Sequence, residues 1–374
     1  VLRYAKKLNI NEPFLYWLAD NVAASLGDVY KELLAKNEHI KRVVRAEEER
    51  FLQTLDRGIE IFGKIIGELS VSGRNIISGK DAFLLYDTFG FPLDLTELMA
   101  KEHNIKVDID GFNLEMENQK EISKKHSKFA VDYSAEIKAF NLIDCPEIDS
   151  AFIGYSNDSA DTRIIGYREI QNNNIEIILK ETPFYGESGG QVGDTGVIKN
   201  DIVELAVIDT LKSNNLNVCI CKFIKGGIPE LLKKSAVIAQ VDTARRSAIK
   251  KNHTATHLLH KALRLTLGTH IEQSGSSVAD KQFRFDFSHY EKVNSEQLRA
   301  VERLVNAVIQ QNLKVDIFNM AIDDAKKLGA MALFGEKYGD IVRVVKISDF
   351  SIELCGGTHI SNLGEIGLFK IINE

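Results

Sequence analysis

Near the start of the chain, apolar residues recur at three- and four-residue steps. Phe51, Leu55, Ile59, Phe62, Ile66 and Leu69 make one stripe of a helical region between Asn11 and about Leu69. Lys36, Lys41, Arg42, Arg45, Arg50 and Arg57 lie off that stripe, as a phosphate-tracking face or simply a solvated one. Pro92 opens a shorter helix that stops near Asn104, and another amphipathic helix runs from Gly111 to about Lys125, ending in Lys124, Lys125, His126 and Lys128. Past about Tyr133 the period changes: short β-branched runs at 163–167, 175–179, 202–208, 217–223 and 236–241 read as strands, and their close spacing predicts a small barrel. Helical spacing returns at Asp242 and stops at Gly268. Asn294 and Gln297 then frame a capping box ahead of Leu298, Val301, Leu304, Val305 and Val308. Strands at 284–287, 342–347 and 368–372 complete the pattern. The expected fold class is multidomain α+β, with a helical domain over 1–133, a β-barrel over 134–241 and an α+β domain over 242–374.

Length supports the division, because 374 residues exceed one ordinary hydrophobic core. With 44% hydrophobic and 27% charged residues the composition is that of a globular protein, and no apolar run reaches the ~18 residues of a membrane span. A net charge of −6 argues against a general DNA or RNA binder and leaves room for local basic patches. Four cysteines without a Cys-x-x-Cys pair make no disulfide framework and point to a reducing cytoplasm; Cys219 and Cys221, alternating in a strand, read as packing. The opening Val1-Leu2-Arg3 has neither initiator methionine nor signal core, as expected of an internal piece of a longer chain.

The chemistry concentrates in two short motifs. His253 and His257 stand four apart on a helix, so both imidazoles leave one face. About a hundred residues later, Cys355-Gly356-Gly357-Thr358-His359 offers a thiolate and a third imidazole, with the glycines expected to let the backbone turn tightly. One sulfur and three nitrogens suit a tetrahedral Zn2+; buried, hydrogen-bonded histidines are the bland alternative. His260, one turn on, reads as a neighbour of the site. Thr254, standing where a His-Glu-x-x-His peptidase has its general base, argues against that class. The segment from Tyr185 to Gly196 holds Gly189, Gly190 and Gln191, and reads either as a hairpin connection or as a backbone cradle for phosphate or RNA. Arg245, Arg246, Lys250 and Lys251 precede His253 and place cations beside the cluster.

Both metal motifs, together with Tyr86-Asp87-Thr88-Phe89-Gly90-Phe91-Pro92, Ser188-Gly189-Gly190-Gln191 and Arg284-Phe285-Asp286-Phe287-Ser288-His289, resemble the alanyl-tRNA synthetases, in their bacterial form, over essentially the whole chain. The resemblance implies a helical tRNA-recognition region, a β-barrel and a zinc-containing editing domain that hydrolyses mischarged seryl- or glycyl-tRNA(Ala). A pocket sized for alanine cannot strongly reject glycine or serine, which is why a second site is needed. By the same likeness Gln273 is the editing-pocket glutamine, and Asp87 the acceptor-stem aspartate that helps read a G·U pair. Gly189, Gly190, Gln191, Arg245, Arg246, Lys250 and Lys251 would contact the tRNA 3′ end. The family's aminoacylation core, with its ATP and Mg2+, is expected before Val1, and a closing segment and oligomerising region after Glu374. A noncatalytic tRNA-binding module with a structural zinc and a freestanding mischarged-tRNA deacylase are the alternatives.

Overall fold

The computed structural model describes residues 1–126, 140–145, 148–170, 174–213, 216–331 and 339–374, with 121–126 described as helix backbone only. The chain groups into two units, Val1–Val131 and Asp132–Glu374. The expected boundary at 133/134, and the side chains of Lys124, Lys125, His126 and Lys128, lie outside what is described.

In the first unit the apolar stripe becomes one long helix, α1 (Asn37–Ser72), stopped by Gly73 in the left-handed region. Leu55, Phe62 and Leu69 are buried against Ala82 and Leu85 of α2 (Gly79–Asp87), Met99 and Ala100 of α3 (Leu93–Glu102), and Phe112 of α4 (Ile109–His126). The aromatic turn ahead of Pro92 earns its place by packing: Phe91 is fully buried, and its ring lies so close to Gly58 that no Cβ fits there. On the opposite face of α1, Lys41, Arg45 and Arg50 pair with Glu38, Glu49 and Glu47 at helical spacing, the pattern of a solvated surface.

The second unit contains a closed six-stranded barrel: β1 (Ser159–Ile170), β2 (Asn174–Leu179), β3 (Gly196–Lys199), β4 (Glu204–Ser213), β5 (Leu216–Lys225) and β6 (Ala236–Val241). The order is β6-β3-β4-β5-β2-β1, and β6 closes the ring by pairing with β1 as well as β3. Alternation places Val237, Ala239 and Val241 of β6 inside with Ile177, Leu205, Cys219 and Cys221. The strand expected at 202–208 starts later, at Glu204, because the Asn200 side chain accepts from the Ile202 and Val203 amides and curls that backbone into a turn.

Beyond the barrel, α5 (Thr243–Leu267), capped by Asp242, packs with the hairpin β7 (Gln273–Val278) and β8 (Phe283–Phe287), with α6 (Ser295–Gln310), and with the sheet β9 (Val315–Ala321), β10 (Ile341–Ile347) and β11 (Ser351–Leu354). The Asn294–Gln297 capping box is formed. Residues 368–372, expected as a strand, are not one. Phe369 and Ile371 amides donate to Asn306 Oδ1 and Glu302 Oε2 of α6, so side chains occupy the donors a ladder would use.

One ion pair ties α5 to the barrel wall. Arg246, 1% exposed, closes on Asp194, also 1% exposed, through Nε and Nη2, and donates to the carbonyls of Gly154 and Pro183. Its guanidinium is fully engaged in the protein, which corrects the expectation that it faces RNA. Removing one partner of a buried pair strands the other, so Arg246→Ala should cost about 3–5 kcal/mol by denaturant unfolding. Lys250→Ala, at a half-buried position, should change stability by less than about 1 kcal/mol. Equal effects would contradict this division of labour.

Candidate metal centre

Four side chains meet between α5 and the segment after β11. His253, His257, Cys355 and His359 bring their ligand atoms within 4.8 Å of one another. Cys355 Sγ is 3.4 Å from His253 Nε2 and 3.3 Å from His359 Nε2. Donors around a tetrahedral ion with bonds of 2.0–2.3 Å stand roughly 3.3–3.7 Å apart, so these spacings suit a metal. Thr358 Oγ1 and Gln191 Oε1 lie beside this arrangement, and Gly357 completes it. The His253 ring occupies the space a Cβ on Gly357 would need. Close approach, rather than the tight turn expected from the sequence, is what requires glycine there; neither Gly356 nor Gly357 has positive φ.

Each imidazole is oriented through Nδ1. His253 Nδ1 donates to Gln191 Oε1 at 2.7 Å; that oxygen also receives the Thr358 amide at 2.8 Å, which identifies it as the carbonyl end of the side chain. His257 Nδ1 donates to Glu353 Oε2 at 2.7 Å. His359 Nδ1 lies 3.2 Å from Thr254 Oγ1, whose own hydrogen goes to Lys250 O, leaving the hydroxyl an acceptor. All three rings therefore turn Nε2 inward, the disposition that outer hydrogen bonds impose on metal-binding histidines. His257 Nε2 is buried without a hydrogen-bond partner among the described residues, an orphan that a metal would satisfy.

Electrostatics prepare the same chemistry. Burial pushes the Cys355 thiol up, but the charges of His253, His359 and His257 outweigh it and hold it well below its ordinary value, as a thiolate. Burial lowers His257, yet Glu353 and Cys355 raise it to about 10. Burial raises Glu353, and His257 brings it down to about 2. Burial with the neighbouring imidazoles takes His359 down to about 3, against the pull of Cys355.

A cavity of about 270 Å3 opens beside the cluster, lined by His253, His257, Cys355, Gln273, Ser276 and Gly189 among others. Gln273 is half-buried and donates to Ser276 Oγ. Gly189 and Gly190 take positive φ, and Gly190 is stitched to Val278 through its carbonyl. Gln191 is fully buried, so its side chain meets the cluster rather than solvent. Arg245 donates to Gly193 O, while Lys250 and Lys251 are half-buried and do not line the cavity. His260 touches Glu353, as a neighbour of the site should. Asp87 is exposed at the end of α2, in the other unit. Sequence reasoning missed Glu353, although a lone acid in the apolar run before Cys355 was a usable signal; for Gln191 as an orienting residue there was none.

Comparison with known sequences agrees with the motifs. The tRNA synthetases class II (A) family profile matches residues 1–245, and that of the threonyl and alanyl tRNA synthetase second additional domain matches residues 342–374. The alanine–tRNA ligase of Bacteroides fragilis is 46% identical over 371 residues, 98% of this chain and 41% of that protein. Those of Halalkalibacterium halodurans and Methylococcus capsulatus are each 45% identical over 381 residues, covering all of this chain and 43% of theirs. The chain thus spans about two-fifths of the length of these relatives.

Metal uptake should displace a proton from His257 Nε2, while Cys355 and His359 already hold metal-ready states. Uptake near pH 8 should release about one proton per ion, and affinity should rise with pH toward about 10. Glu353→Gln should weaken affinity roughly 10–100-fold and reduce the proton count. Calorimetric titration in buffers of different ionisation enthalpy measures both; an unchanged proton count in the variant would refute the coupling.

Proposed function

Because the chain belongs to the alanine–tRNA ligase family, we propose that its second unit binds one Zn2+ through His253, His257, Cys355 and His359 and hydrolyses seryl- or glycyl-tRNA(Ala) in the adjoining cavity. The observation that carries this reading is the cavity itself, where three of the four donor residues share walls with Gln273, Ser276 and Gly189. The relatives' name concerns attachment of alanine to tRNA. That ATP- and Mg2+-dependent activity we assign to the whole protein, of which regions 1–133, 134–241 and 242–374 would serve tRNA recognition, support and editing.

Bound zinc would supply a Lewis acid able to polarise or anchor the ester. The chain's own residues do the selecting. Gln273 carries a donor and an acceptor, and it already holds Ser276 Oγ, a hydroxyl like that of a serine substrate. A site that satisfies that hydroxyl leaves polar groups unpaired when alanine enters, which protects the correct product. Gly189 is exposed at the cavity wall, with its backbone accessible to a tRNA end. Lys250 and Lys251 would supply salt-sensitive attraction to phosphates; Arg245, which bonds Gly193 O and pairs with Asp280, would do so less, and Arg246 not at all. A purely structural zinc is favoured by one feature, four protein donors with no open position, and the assay below separates the two readings.

The full chain, with zinc quantified in the same sample, should deacylate seryl-tRNA(Ala) faster than alanyl-tRNA(Ala). Gln273→Ala should reduce that preference by about tenfold with zinc retained. Equal rates on the two substrates, or none at low salt in a zinc-loaded chain, would refute editing. Loss of fold together with loss of zinc would assign the metal a structural role.

Asp87, exposed on the helical unit, we assign to reading the acceptor stem. Asp87→Ala should erode discrimination between G·U and G·C stems by roughly tenfold, with smaller change in bulk tRNA affinity. Equal losses on both stems would contradict the assignment.

A further inference from the structure

The segment from Cys355 to His359 carries two of the four donors, and besides the Thr358–Gln191 bonds its backbone is held at three successive carbonyls. Those carbonyls, of Cys355, Gly356 and Gly357, are held by two side chains from elsewhere in the unit. Arg343, on β10, donates through Nη1 to Cys355 O at 2.9 Å and Gly357 O at 2.8 Å. Tyr155, in the turn ahead of β1, donates its hydroxyl to Gly356 O at 2.6 Å. The two side chains also hold each other: the Arg343 guanidinium lies over the Tyr155 ring, 4.1 Å from its centroid. Phe152 meets Tyr155 edge-on at 4.9 Å and Tyr185 at 6.0 Å, so the clamp is braced against the segment that also carries Gln191.

We propose that Tyr155 and Arg343 are positioning residues for the metal centre, a clamp by which the turn ahead of β1 and strand β10 together fix where Cys355 Sγ and His359 Nε2 stand. This rests on the reading that the cluster holds a metal. The chemistry follows from the bond pattern. A glycine pair between two ligands has more conformational freedom than any other dipeptide, and freedom in that backbone spreads the two donors over many separations. Hydrogen bonds from a guanidinium nitrogen and a phenol to these carbonyls remove that freedom before the ion arrives. Arg343 borders the proposed substrate cavity, as does Gly356, whose carbonyl Tyr155 holds, so the clamp also sets the shape of the wall that the ester would meet. The metal centre is thereby shared: α5 gives two donors, the 355–359 segment gives two, and the barrel supplies the groups that orient both sets through Gln191 and Tyr155.

The test uses the full chain loaded with Co2+ in place of zinc, whose thiolate charge-transfer and ligand-field bands report the donor set. Tyr155→Phe removes one hydroxyl and keeps the ring under the guanidinium. Arg343→Lys keeps the charge and loses the planar guanidinium that lies over Tyr155 and aims Nη1 at two carbonyls. Both variants should still bind one Co2+, with the bands shifted and the affinity in chelator competition weakened roughly tenfold or more, the range expected when groups outside the donor set are lost. Denaturant unfolding of the metal-free variants should match the parent chain. Parental bands and affinity in both variants would overturn the clamp alone. So would a loss of affinity matched by an equal loss of metal-free stability, which marks ordinary packing. Failure of the parent chain to take up Co2+ would overturn the metal reading and the clamp with it.

Discussion

Three imidazoles and one thiolate share a buried point here because hydrogen bonds at the outer nitrogen of each imidazole fix which nitrogen turns inward. A ring presents one donor and one acceptor when neutral, and the atom facing out decides the role of the atom facing in. Here the outward atom is Nδ1 in each case, received by Gln191, Glu353 and Thr254. These three acceptors come from a barrel connection, from the strand β11 and from the metal helix itself. The centre therefore requires the barrel and the α+β part to be built against each other, and the structure shows them within one compact unit.

The same requirement explains the buried charges along α5. Arg246, Ile249, His253, His257 and His260 follow one another at steps of three and four on the helix face that is buried. At one end of that face, Arg246 and Asp194 neutralise each other against the barrel wall; at the other, Glu353 accepts from both His257 and His260. Each charge on the face has a partner of opposite sign or a donor of matching geometry, the condition under which burying it is tolerable. The donors are held by a lattice of polar contacts that would each be weak in water and are not weak here.

Much of this was legible in the chain. Histidines at i, i+4 and a Cys-Gly-Gly-Thr-His run carry their geometry with them, and strict alternation in 236–241 announces a strand with one face buried. Arg246 was misjudged because it was taken with Arg245 as a local pair, whereas its spacing to His253, seven residues on, already placed it on the inward face. Residues 368–372 looked like a strand because a strand and an extended segment bonded to side chains share one apolar pattern; only the partners Asn306 and Glu302 distinguish them. Gln191 and Tyr155 were illegible for a different reason. Their roles arise from contacts with residues more than 60 and 200 positions away, and nothing local in the sequence encodes such a meeting.

The coordination shell decides the central claim. X-ray absorption at the zinc edge on the full chain reads it directly, with one sulfur near 2.3 Å and three nitrogens near 2.0–2.1 Å expected. A shell without sulfur, or a chain that binds no zinc when loaded under reducing conditions, would contradict it.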